Sequence, residues 1–410
     1  MNLRVDEAKQ AILARLAPIA ETEQVALHDA LGRALAEDVV SPIDVPQHDN
    51  SAMDGYALRA IDIAGNEEAN LRVVGSALAG SPYGATLGRG ECVLITTGAV
   101  LPKGCDCVVP QELVASISDE SIRLAPRIVQ AGANCRRAGE DLRAGSVALA
   151  AGKVLRPADI GLLASLGIAS IRMKRRLRVA FFSTGDELRS LGQPLDPGCV
   201  YDSNRYTLQA MLGRLGVEAI DLGVVRDDPA ALRAALERAC SVADAIVTSG
   251  GVSVGAADFT REIVAQMGEV EFWKIAMRPG RPMAFGRIDA GGKSAWLFGL
   301  PGNPVAVMVS FYMIARDALL RLAGAEAPAL PLLRLPVSGT LRKKPGRTEF
   351  QRGMLTVGED GKMQVSAFDE QGSGILRSMS EANCIIVLEH ERGDVADGDL
   401  AAVILFDGLI

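Results

Sequence analysis

Between residues 177 and 323, strand-like and helix-like runs alternate, and this limits the fold more than any other feature of the chain. The strand-like runs are LRVAFFS, VEAIDLGVV, DAIVTSGG, EVEFWKIAM and AWLFGL. Among the first of them lie NRYTLQAMLGRLG, PAALRAALERAC and FTREIVAQMG, which space their apolar residues as helices do. Parallel strands need long crossovers, usually helices, so the alternation predicts a mostly parallel sheet with helices on both faces. In such sheets a ligand lies beyond the carboxyl ends of the strands.

The flanks follow other rules. In 5–17 (VDEAKQAILARLA), Val5, Ala8, Ile12, Leu13 and Leu16 fall on one helical face, and a second helical pattern is expected over roughly 26–38. PIDVPQHDNSAMDGYAL reads as an ordered loop. From about 71 to 150, short apolar runs separated by Gly and Pro suggest a small β unit. PADIGLLASLG returns to helix, with Pro157 suited to the first turn and Gly167 to the C-cap, which makes the β unit an insertion. Short strands resume over 330–410 and suggest a small barrel or sandwich.

Composition narrows the function classes. Of 410 residues, 49% are hydrophobic, enough for packed cores and against disorder. The net charge of −7 argues against nucleic-acid binding, and 4% aromatics argues against recognition by stacking. The opening MNLRVDEAKQ carries charges and no apolar core, so no secretion signal is expected there. The longest apolar stretch, near 304–315, is short of the ~20 residues a membrane helix needs. Seven Cys without a CxxC and three scattered His argue against a zinc site and for a cytoplasmic protein with reduced thiols. Cys105 and Cys107 alternate as strand residues do and are expected to pack.

The carboxyl-end rule gathers four turns on one rim. They are Thr184-Gly185-Asp186-Glu187, then Arg226-Asp227-Asp228, then Ser249-Gly250-Gly251 running through Ser253 to Asp258, and Pro301-Gly302-Asn303. Carboxylates are the preferred ligands of Mg²⁺, and glycine turns beside a helix start expose backbone N–H groups to an anion. The rim therefore suits a phosphate-bearing ligand with a divalent cation. Each acid taken alone fits equally well as a helix cap, Asp228 and Asp258 above all. A second group, Lys274, Arg278 and Arg281 around a Pro-Gly turn, would suit an oxyanion such as phosphate or molybdate; alone it reads as a solvated hairpin. Asp54 in DNSAMDGYA, Thr97 in ITTGAVLP and Asp141 in RRAGEDLRAG fit turn and capping chemistry as well as a site.

Nine motifs occur in one order: DNSAMDGYA, TTGAVLPKGCDCVV, RRAGEDLRAG, FSTGDEL, VRDD, SGGVSVGAADF, FWKIAMRPGRPMAFG, GLPGNPV and GRTEFQRG. Over essentially the whole chain this set resembles the MoeA family of molybdopterin molybdenumtransferases, related to the gephyrin E domain. The resemblance implies insertion of molybdate, as substrate, into adenylylated molybdopterin, with AMP released, molybdenum cofactor formed and Mg²⁺ required. It implies a helical and extended N-terminal domain (1–46 and 142–176), an inserted β domain (47–141), a MogA-like α/β molybdopterin-binding domain (177–327) and a C-terminal β-barrel-like domain (328–410). It also implies a cytoplasmic homodimer with active sites between subunits, the DGYA element facing the partner's α/β domain. The molybdopterin adenylyltransferase and recipient molybdoenzymes become candidate partners; nucleic acid and membrane do not. Carried over by position, the catalytic candidates are Asp54, Thr97, Asp141, Glu187, Asp227 and Asp258, the last three also as metal ligands. The substrate-binding candidates are Thr184, Gly185, Ser249, Gly250, Gly251, Ser253, Lys274, Arg278, Arg281, Pro301, Gly302, Asn303, Arg352 and Ser373. Many relatives carry Lys where this chain has Arg278 and Arg281, so a point cation becomes a planar fork. The competing readings are an adenylyltransferase, which would not need 1–176 or 330–410, and a carrier or scaffold without chemistry.

Overall fold

A computed structural model of the chain describes residues 2–118, 120–251, 258–326 and 329–409. Two compact units emerge: residues 37–151 with 158–169, and residues 1–36, 152–157 and 170–410.

The larger unit is built on a seven-stranded sheet. Its order is Asn2–Leu3, Gly268–Ile275, Pro282–Ala290, Lys293–Leu300, Ala245–Ser249, Arg178–Thr184, Glu218–Val225. The last four strands run parallel. Successive residues of Arg178–Thr184 show why their sequence is an unbroken apolar run. Val179 and Phe181 join one core with Leu208, Leu212 and Leu319, whereas Ala180 and Phe182 join another with Leu232, Leu236 and Val264. Both faces are buried, as covered parallel strands require. Aspartates start two of the covering helices: Asp202 accepts from the Arg205 N–H at 3.1 Å and Asp228 from the Ala231 N–H at 2.8 Å. Asp228 is therefore a cap.

One expectation needs an addition and another a correction. Pro282–Ala290 is a further strand beyond those expected, antiparallel to both neighbours, in a sheet whose other four pairings are parallel as expected. Its Pro and Gly residues hid it from the strand pattern. No helix spans 26–38. A single short turn, Leu27–Asp29, is followed by Gly32 at φ +71° and by extended chain. The backbone there bonds across to other strands, Leu35 N–H to Lys153 and Ala36 N–H to Arg172, in place of its own i−4 carbonyls. The helix Val5–Arg15 does form and buries Val5, Ala8 and Ile12.

A second sheet in the same unit takes its first strand from inside the α/β region. Met277–Arg278 leaves the first sheet after Ile275 and pairs in parallel with Thr348 and Glu349. Beyond it lie Thr348–Val357, Cys384–Leu388, Leu400–Leu405 and Leu333–Pro336, with Met363–Ala367 also on Thr348–Val357. Val337, just past Leu333–Pro336, bridges Val365.

The smaller unit holds a six-stranded sheet ordered Cys107–Pro110, Gly55–Leu58, Glu91–Ile95, Ala69–Ala77, Ser121–Leu124, Ser116–Ile117. Gly55 is required there, because a Cβ would lie 2.0 Å from the Val109 carbonyl oxygen. Cys92 and Cys107 are fully buried and Cys105 packs against the core. Burial pushes the Cys92 and Cys105 thiols up to about 12, as for packing residues rather than nucleophiles.

Candidate active site

The carboxyl ends of the four parallel strands open into one cavity of about 510 Å³. Thr184, Gly185 and Glu187 follow the first strand, Asp227 the second, Ser249, Gly250 and Gly251 the third, and Pro301, Gly302 and Asn303 the fourth. The glycines are dictated by close approach. Gly250 sits at φ +91°, where a Cβ would lie 2.7 Å from the Thr184 carbonyl oxygen. The Thr184 hydroxyl is buried there without a hydrogen-bond partner among the described residues.

One side of the cavity is acidic. Glu187 folds back over Gly185, its Oε2 only 2.6 Å from where a Cβ would stand. The Asp227 N–H donates to Asp186 Oδ1 at 3.2 Å. Desolvation, and then the charges of Asp186 and Glu187, push the Asp227 carboxyl above its ordinary value. The opposite side is basic. Arg278 and Arg281 flank Gly280, which lies at φ +97° against the buried hydroxyl of Ser310, unpartnered among the described residues. Arg278 Nη1 is 3.8 Å from Glu349 Oε1.

A smaller cavity of about 390 Å³ adjoins, sharing Arg278, Pro279 and Gln371 with the first. Arg352 lines it and is 1% exposed. Its Nε donates to Ser378 Oγ at 3.0 Å, and its Nη2 donates to the carbonyls of Glu370 and Gly372, both at 3.0 Å. None of these partners is a carboxylate. Burial, and then the nearby Arg278 charge, lower its pKa.

Three family patterns match the chain in order: the MoeA N-terminal region (domain I and II) over residues 3–167, a probable molybdopterin binding domain over 180–321, and the MoeA C-terminal region (domain IV) over 334–406. A molybdopterin molybdenumtransferase of Haemophilus influenzae is 41% identical over 409 residues, covering 100% of both chains. The chain belongs to the MoeA family. A Mycobacterium tuberculosis protein named molybdopterin molybdenumtransferase 2 is 35% identical over 97% of this chain and 98% of its own. Among solved structures, the molybdopterin biosynthesis moeA protein of Pyrococcus horikoshii aligns with a TM-score of 0.84 and 28% identity, over 99% of this chain and 100% of that one.

Of the residues expected from the MoeA motifs, the main cavity brings together Thr184, Gly185, Glu187, Asp227, Ser249, Gly250, Gly251, Arg278, Arg281, Pro301, Gly302, Asn303 and Ser373. Ser373 is held to the helix start, where its Oγ accepts from Asn303 Nδ2 at 2.9 Å and its carbonyl accepts from the Val305 N–H at 3.0 Å. Lys274 is exposed on Gly268–Ile275 and is not among the described residues lining either cavity. Ser253 lies outside the described residues, and Asp258 is placed only as the first residue of the helix Asp258–Met267. Asp54, Thr97 and Asp141 lie in the smaller unit. There Asp54 Oδ1 accepts from the Thr97 N–H at 2.6 Å and from its hydroxyl at 2.8 Å, which holds the carboxyl below its usual range. Asp141 is exposed, with its N–H donated to Val45. Asn204 and Gln371 also line the cavity and lie in none of the nine motifs; Arg347, inside GRTEFQRG, lines it too, though the motif does not single it out. For Asn204 a signal existed, since YDSNRY packs cap-type residues at a helix start.

Proposed function

We propose that the protein is a molybdopterin molybdenumtransferase that inserts molybdate into adenylylated molybdopterin, releases AMP and yields molybdenum cofactor. One observation carries the reading: a single cavity joins the acids Glu187 and Asp227 to the cations Arg278 and Arg281. A substrate combining a pyrophosphate, a divalent cation and an oxyanion calls for both signs within reach of each other.

In this reading Arg278 and Arg281 bind molybdate and hold it at the pterin sulfurs. Arg352 adds charge from the adjoining cavity, and Lys274, outside the lining, contributes only at longer range. Backbone donors of the turns at Thr184–Gly185, Ser249–Gly251 and Pro301–Asn303 take the phosphates, with Ser373 bracing the last; Ser253, outside the described residues, stays a candidate from its motif alone. Glu187, Asp227 and Asp258 would hold Mg²⁺. The desolvated Asp227 beside Asp186 and Glu187 fits a divalent cation, because that charge relieves the repulsion. Among the described residues no three His, Cys, Asp or Glu side chains form a metal cage. Mg²⁺ is held by few carboxylates beside substrate phosphates, so Glu187 and Asp227 would supply the main ligands, with Asp258 the further candidate. When bound, Mg²⁺ neutralises charge on the pyrophosphate as the anhydride is cleaved. With the groups so placed, the two dithiolene sulfurs bind molybdenum, an oxo ligand leaves as water with two protons, and water cleaves the phosphoanhydride to free AMP.

The reading extends to a homodimer in which Asp54, Thr97 and Asp141 of one subunit serve the cavity of the other. It includes the four-part division 1–46 with 142–176, 47–141, 177–327 and 328–410, the third part MogA-like and the fourth barrel-like. The Val337–Val365 bridge supports the barrel, since it links the last strand of that sheet back to the strand beside Thr348–Val357. Seven free cysteines fit a cytoplasmic location, and no described helix is long and apolar enough to cross a membrane.

The test mixes purified protein with adenylylated molybdopterin, Mg²⁺ and molybdate, and measures AMP release and activation of a molybdoenzyme apoprotein. Molybdate-dependent AMP release with activation is expected. Pterin binding without cleavage would make the chain a carrier, and ATP consumption with free molybdopterin would make it an adenylyltransferase.

A further inference from the structure

We propose that Asn204 is a positioning residue: its side-chain amide clamps the Ser249–Gly251 turn to the Pro301–Gly302 turn, so that the two offer their backbone donors to the substrate phosphate as one surface. The inference rests on the substrate reading above.

Asn204 is the second residue of the helix Ser203–Arg214 and is 8% exposed. It is not needed to cap that helix, because the Asp202 side chain already accepts from the Arg205 N–H. Its amide instead turns toward two other elements. Nδ2 donates to Ser249 Oγ at 2.7 Å and to the Gly302 carbonyl at 2.6 Å. The carbonyl can only accept, so the amide orientation is fixed by chemistry: nitrogen faces Gly302. Ser249 ends one strand and Gly302 follows another, and a Cβ on Gly302 would stand 3.7 Å from the Gly250 Cα. The two turns lie side by side, with the Gly250 N–H donating to the Leu300 carbonyl at 3.1 Å where they begin, and Asn204 is the side chain that joins them beyond that backbone bond. The Gly302–Asn303 peptide is trans, so a carbonyl drawn toward Asn204 points the Asn303 N–H the opposite way. Asn303 in turn donates its own amide to Ser373. A chain of side-chain amides thus runs from the third strand end through the fourth to the C-terminal segment. Two turns held at fixed spacing bind a phosphate without first having to be ordered, and the gain falls on substrate affinity.

Wild-type turnover is measured first; its absence would fail the substrate reading, and the inference is then read from calorimetric binding of inorganic pyrophosphate, which Asn204→Ala should weaken about tenfold and which, if unchanged, overturns it. Given turnover, Asn204→Ala is expected to raise KM for adenylylated molybdopterin about tenfold while kcat falls by less than about threefold, the mark of lost uniform binding. A merely structural role would reduce the active fraction, lowering apparent kcat at constant KM. Asn204→Asp, which cannot donate to the carbonyl and sets a charge against the phosphate, should be worse than Asn204→Ala. In Asn204→Ala the further change Ser249→Ala should add almost nothing, because the shared contact is already gone. Asn204→Ser, which keeps a donor in a smaller side chain, supplies the KM reading if Asn204→Ala does not fold. An unchanged KM in the folded variants, or fully additive effects with Ser249→Ala, would overturn the inference.

Discussion

Asp227 is strained by its own setting. Desolvation and two neighbouring acids hold its carboxyl above the ordinary 3.8, so the fold favours the protonated form. The sign follows by linkage: the contribution is full below the unfolded-state value and is lost as pH rises through the raised folded-state value. Asp227→Asn should therefore lose at least about 100-fold in AMP release, yet melt no lower than wild type at neutral pH without divalent cation. Thermal melts of both proteins from below pH 3.8 to neutrality check this, with wild type losing ground to the variant as pH rises. A variant that melts well below wild type at neutral pH would refute the electrostatic account. At this scale the lining of the candidate cavity was largely legible, since Glu187, Asp227, Gly250, Arg278 and Gly302 announce themselves as charge or as glycine at strand ends. Ser310 was not, and for Asn204 the run YDSNRY signalled only a helix start, not a bridge between two turns. A buried amide and a buried hydroxyl acquire meaning only from what the fold sets opposite them.

Turns carry the site because two of their glycines cannot be replaced at equal cost. Gly250 at φ +91° faces backbone, 2.7 Å from the Thr184 carbonyl, whereas Gly251 at φ +71° faces a side-chain hydroxyl at 3.1 Å. A hydroxyl can rotate away and a carbonyl cannot. Gly250→Ala should cost about 1–3 kcal/mol, and more than Gly251→Ala, which pays chiefly for the left-handed backbone. Urea unfolding of the two variants ranks them, and the reverse order would contradict the packing argument. The same distinction between local and distant causes explains which elements were readable. The strands Arg178–Thr184 and Ala245–Ser249 are apolar throughout because both faces are covered, and that pattern survives in sequence. Over 26–38 the apolar spacing suggested a helix, but hydrogen bonds from Leu35 and Ala36 to residues more than a hundred positions away decided otherwise. Pro282–Ala290 was hidden because its pairing with Gly268–Ile275 places glycine and proline inside a ladder.

The whole chain aligns end to end with MoeA proteins, although composition alone said little beyond a packed, acidic protein. If active sites are shared across a homodimer, Asp54→Ala and Glu187→Ala should each be inactive, and a mixture refolded together at equal amounts should recover about a quarter of wild-type activity. That figure assumes random pairing: half the dimers are mixed, and each of those has one intact site of two. No recovery, with mixed dimers confirmed by mass, would place both residues in one subunit's site or outside the site altogether.

Met277–Arg278 is a strand of the C-terminal sheet threaded from inside the α/β region, two residues after the first sheet's Ile275. Mechanically it is a rivet: one sheet cannot shear against the other without dragging Arg278, and the cavity's positive wall with it. If Arg278 holds molybdate as proposed, gentle denaturation should blunt molybdate binding before circular dichroism registers any loss of helix, and the oxyanion grip would then gauge how firmly the two sheets are joined.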